Sequence, residues 1–98
     1  MSLEELVTKY INSSTHVLGE IKSTEKSFIV EADKVNEVLK WARAYLEDAM
    51  HFREKKKLNV SLTSVAYCEG LLDALRLLGA VSFEWPETTK DQEKERQS

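Results

Sequence analysis

The sequence has 98 residues, 42% hydrophobic and 32% charged, with a formal charge of −3. That length holds one domain, the apolar share is too high for a disordered chain, and the negative balance offers no global basic field to nucleic acid or an anionic membrane. The single cysteine, Cys68, excludes an internal disulfide and a cysteine-based zinc site.

The start, Met1-Ser2-Leu3-Glu4-Glu5, lacks the charged-then-apolar layout of a signal peptide. No apolar run approaches the ~20 residues that span a bilayer, so a cytoplasmic protein is expected. The sequons at Asn12 and Asn59 carry no meaning without export. Three glycines and one proline, Pro86, leave the chain almost free of breakers, which favours an all-helical body.

Leu3, Leu6, Val7, Tyr10, Ile11, Val17, Leu18 and Ile21 fall on one stripe at helical spacing, with Ser14 the only polar member of the seam. The spacing predicts a first helix from Leu3 to Lys22, with Glu4 and Glu5 complementing its dipole and Gly19 weakening its last turn. Lys22 to Ser27 is polar and reads as a connection.

A second helix is predicted from Val30 to Lys57. Its apolar positions are Val35, Val38, Leu39, Trp41, Ala42, Tyr45, Leu46, Ala49, Met50 and Phe52, close to half the circumference. A stripe that broad touches two neighbours. Asn36, Lys40, Arg43, Glu47, His51 and Glu54 take the opposite face, and Lys55, Lys56 and Lys57 close the helix at the negative end of its dipole.

Asn59 suits the N-cap of a third helix, Val60 to Leu78, and Gly79 suits the left-handed residue that ends it. Apolar residues lie almost all round this helix, apart from a wedge of Glu69, Asp73 and Arg76. Such a helix is expected to be buried on most sides. Two helical neighbours supply too little cover, so something else must pack on it. Ala80 to Trp85 alternates apolar and polar, as an extended segment with one buried face does; a second copy of the chain is the other candidate. From Glu87 to Ser98 the chain is charged and reads as a disordered tail. The expected architecture is therefore all-α, one domain over 1–86 with a tail over 87–98. It is a three-helix bundle in which helices two and three form a long antiparallel hairpin. Helix one packs on the pair, and Val81 to Trp85 lies over it.

Tyr67-Cys68-Glu69-Gly70-Leu71-Leu72-Asp73-Ala74-Leu75-Arg76-Leu77-Leu78-Gly79 resembles the signature of the archaeal domain-of-unknown-function family 357. Ala42 to Ala49 and Phe83-Glu84-Trp85 are similar to other stretches of that family, so the resemblance runs from Val35 to Trp85; Leu3 to Ser27 matches no motif. The resemblance implies a compact helical domain with no established activity. Fusions of the family to nucleotidyltransferase-like domains imply an accessory role near nucleotide or RNA metabolism. Helical ribonucleases that partner such domains carry an Arg and a His spaced more closely than Arg43 and His51 are here, which disfavours that activity.

Several constellations have both a functional and a structural reading. Glu69 and Asp73, with Arg76, Tyr67 and Tyr45, could bind a cation or a partner's polar group, or form a solvated edge in which Arg76 pairs with Asp73. Gly70 would admit a second backbone, or serve helix packing alone. Glu47 and His51 lack the further Glu-x-x-His set of a di-iron bundle and read as a surface pair, as does His16. Cys68 reads as an inert core thiol, and no Gly-rich loop cradles phosphate. Neither catalysis, metal nor cofactor is expected. Arg53, Lys55, Lys56 and Lys57 form the one basic cluster, suited to RNA or to dipole compensation. Trp41, Phe52, Leu71 and Leu75 are the candidate apolar contact surface. The function these residues suggest is a non-enzymatic interaction or scaffold module acting through a homodimer or a protein partner. The alternative is an accessory nucleic-acid or nucleotide-binding domain using Arg53 to Lys57.

Overall fold

A computed structural model describes residues 1–86. It contains α1 (Leu3–Glu20), α2 (Ala32–Glu54) and α3 (Leu58–Leu77), and no strand among the described residues. The disordered tail expected from Glu87 onward lies outside them.

α1 opens on a cap that the sequence offers in plain form. Ser2 Oγ accepts a hydrogen bond from the Glu5 N–H at 3.1 Å, satisfying one of the orphan donors of the first turn. The helix stops at Glu20, two residues earlier than Lys22, where Ile21 turns extended (φ −65°, ψ 139°). α2 begins two residues after Val30, because Glu31 is extended and its carbonyl takes the first amides, those of Lys34 and Val35. The β-branched pair Ile29-Val30 suits that extended entry.

The hairpin comes from the next two helix ends. At the end of α2, Lys56 adopts φ 61°, its N–H donates to the Arg53 carbonyl at 3.0 Å, and Lys57 N–H donates to that of Phe52 at 2.9 Å. These two bonds around a left-handed residue form a Schellman motif. α3 ends in the same way: Gly79 has φ 77°, with Gly79 bonded to Arg76 and Ala80 to Leu75. The expected role of Gly79 is met. The lysine run, however, is not the end of α2 but the turn itself, since the chain must reverse before α3 starts at Leu58. That start also moves Asn59 inside the helix, where its carbonyl accepts from the Thr63 hydroxyl at 2.8 Å. The N-cap is Lys57, with no side-chain bond.

α2 and α3 pack antiparallel, as Ser61 meets Ala49 and Tyr67 meets Tyr45, one number rising as the other falls. Their seam has coiled-coil spacing. On α2 the occluded positions include Val35, Val38, Ala42, Tyr45, Ala49 and Phe52, in steps of three and four. On α3 they include Ser61, Val65, Cys68, Leu72 and Leu75. Ala42, Ala49, Cys68 and Leu75 are the buried apolar core among the described residues. The two alanines, seven residues apart, let the backbones approach closely enough for the Ser61 hydroxyl to donate to the Ala49 carbonyl at 2.6 Å.

Two expectations fail at this level. α1 does not pack on the hairpin: close backbone packing joins α2 and α3 alone, and Leu6 is the one α1 residue that is even half-buried. Nor is α3 covered on most sides. Val60, Leu62, Tyr67, Leu77 and Leu78 are exposed, because one neighbouring helix occludes only the stripe facing it. The expected extended segment is present. Val81, Phe83 and Trp85 are half-buried and alternate with exposed Ser82, Glu84 and Pro86, the period-two signature of one occluded face.

Candidate interaction surface

The hairpin presents two flanks, one on each side of its seam. On the first, Tyr45 of α2 and Tyr67 of α3 bring their rings to 4.4 Å, and Trp41, one turn back from Tyr45, stands 6.4 Å from it. With Val38 and Leu71 these rings line an apolar cleft of about 280 Å³. Trp41 is 56% exposed. Four of the residues singled out from sequence therefore meet in one place: Trp41, Tyr45, Tyr67 and Leu71. The other flank holds a second apolar groove, of about 340 Å³, between Leu46, Met50, Leu58 and Leu62.

Leu75 and Phe52 take different places. Leu75 is 5% exposed and belongs to the hairpin core, so it is not part of an outward surface. Phe52 is half-buried, with the His51 ring edge-on to it at 5.2 Å. The basic residues Arg53, Lys55, Lys56 and Lys57 are all exposed at the hairpin tip.

The acidic edge of α3 is engaged by the chain itself. Asp73 Oδ1 accepts from the Arg76 guanidinium at 3.1 Å and from the Trp85 indole N–H at 2.8 Å. Phe83 packs edge-on to Trp85, and Arg76 lies over the Phe83 ring. The indole hydrogen bond, more than the Arg76 bond and charge, holds the Asp73 carboxyl below its ordinary value, against a partial desolvation that opposes it. The edge thus acts as a clasp for the extended segment. The indole as third partner was not legible from helix spacing, because Trp85 lies twelve residues from Asp73 beyond a chain turn. Glu69, one turn before Asp73 and next to Cys68, is half-buried, and its charge, secondary to burial, raises the Cys68 thiol. Gly70 is exposed, and a Cβ there would meet nothing within 4 Å, so no backbone among the described residues uses the space it leaves. His16 pairs with Glu20 at 3.4 Å on the solvent side of α1.

A third apolar surface was not singled out from sequence. α1 splays from the start of α3, and between them runs an open groove of about 690 Å³, lined by the α1 stripe together with Asn59, Val60 and Thr63. The signal for it was the stripe itself, which sequence periodicity assigned to the interior. No helix among the described residues is long and apolar enough to cross a membrane. The family described as Protein of unknown function (DUF357) matches this chain over residues 4–81, so the match includes α1 as well as the hairpin. No curated protein and no solved structure matches it.

Proposed function

The chain belongs to the DUF357 family, and on that footing we propose that it is a non-catalytic helical module acting through protein–protein contact. The supporting observation is the mismatch between its patterned helices and its small core. Among the described residues, four apolar side chains are buried, while twenty large ones across all three helices and their connections are exposed. Where such residues line one groove, as along α1 and the start of α3, the apolar surface suits an association site. Two of the groups that could do chemistry are otherwise engaged: Asp73 holds the Trp85 clasp, and Cys68 is buried with its thiol shifted toward the neutral form.

The test is the size of the native assembly. In an extract of the producing cell, the chain is expected to migrate in a complex with a stoichiometric protein component. Migration as a bare single chain, with no such component, defeats the reading. A second reading draws on the exposed hairpin tip, where Lys55 to Lys57 project from a tight turn. It treats the chain as an accessory nucleic-acid binder, and it gains if RNA binding falls steeply with salt and disappears when these lysines are replaced by glutamine.

A further inference from the structure

We propose that α1 is an exchanged arm whose partner is a second copy of this chain. The claim deepens the interaction reading and rests on it. Its starting point is that all three helices carry a seam in steps of three and four. The seams of α2 and α3 occlude each other. That of α1, Leu3, Val7, Tyr10, Ser14 and Val17, has the same spacing and lies in water. A seam of this period is matched by another helix with the same period, side chain into hole. Three seams leave one over, and a two-fold axis disposes of it, because each copy then meets its own pattern in the other.

The groove and the connection fit that arrangement. The space of about 690 Å³ between α1 and the first turns of α3 is apolar and open, so α1 of the second copy can lie along α1 and against Val60. The exposures of Leu3, Val7, Tyr10, Ile11, Val17 and Leu18 run from 49% to 72%. At ordinary side-chain areas they leave on the order of 700 Å² in water per copy, close to the ~800 Å² per partner of a standard interface. The segment from Ile21 to Glu31 has no helix or strand, and eleven extended residues reach up to ~35 Å. Such a connection lets α1 leave its own hairpin, as arm exchange requires.

Sedimentation equilibrium of the purified full chain tests this. From about 1 to 100 µM the expected species is a dimer with a dissociation constant in the low micromolar range or tighter, as interfaces of this size give. Tyr10→Glu is expected to weaken it at least tenfold, and Tyr10→Phe to leave it unchanged, with far-UV circular dichroism confirming that both stay helical. An isotope-filtered spectrum of a mixed labelled and unlabelled sample is expected to show contacts from Tyr10 of one copy to α1 or Val60 of the other. A monomer throughout this range overturns the proposal. So does a dimer whose contacts between copies map to the Trp41 cleft, or α1 contacts found only within one copy. A monomeric purified chain that still runs in a larger complex in the extract would sink the arm exchange alone. Loss of both assemblies would sink the interaction reading with it.

Discussion

Asp73 collects two donors on one oxygen, and the stronger of its two effects comes from a residue outside its helix. Its depressed carboxyl means that the folded chain binds the proton less readily than the unfolded one. The contribution to stability is present above the ordinary carboxylate range and lost as pH falls through the folded value. Trp85→Phe removes the donor and keeps the ring. With Asp73 partly exposed and screened by solvent, the expected loss is about 1 kcal/mol near neutral pH, shrinking in acid as the carboxyl protonates. Denaturant titrations at neutral and acid pH, followed by far-UV circular dichroism for both chains, check it. An equal loss at both would remove the carboxylate from the account. Cys68 behaves in the opposite sense. Burial first, then the Glu69 charge, raises its thiol, so its contribution to stability is lost as pH rises and the unfolded chain ionises first. A disulfide reagent is expected to react with the folded chain at least a hundredfold more slowly than with the urea-unfolded chain; equal rates would show that the seam opens freely.

At the scale of elements, the hairpin depends on two left-handed residues of different cost. Gly79 adopts φ 77° freely, whereas Lys56 holds φ 61° with a Cβ. Lys56→Gly is therefore expected to stabilise the hairpin by roughly 0.5–1 kcal/mol by relieving that conformation. Gly70 is the reverse case. It lies within α3 with open space where a Cβ would go, so Gly70→Ala is expected to add about 1 kcal/mol through helix propensity. Thermal melts at one protein concentration measure both. A destabilised Gly70→Ala would reveal a close neighbour over α3 that the described residues do not supply. The seam explains why α2 and α3 find each other at all. Ala42, Ala49, Cys68 and Leu75 repeat at seven-residue intervals, and that repeat aligns two helices along their length.

For the whole molecule, the small core sets the behaviour. Fully burying a leucine is worth roughly 1.5–3 kcal/mol, and Leu75 is the one leucine that the described chain buries. A two-helix hairpin held by so little is marginal by itself. If a second copy supplies the missing cover, folding and association are one process. The melting temperature is then expected to rise by several degrees across a hundredfold increase in concentration, followed by circular dichroism. A midpoint independent of concentration would show that the hairpin is self-sufficient.

Sequence periodicity alone determined the three helices, the antiparallel hairpin and the one-sided extended segment, because apolar spacing and turn residues act over a few neighbouring positions. The Gly79 stop was readable for the same reason. Three features were decided by tertiary structure: the lysine run as a turn, Leu75 as core, and the Trp85 clasp on Asp73. Each depends on where a second segment comes to lie, which no local pattern encodes. The wet stripe of α1 shows the limit most clearly. Its period suits a helical neighbour, but the spacing is the same whether such a helix belongs to this chain or to another.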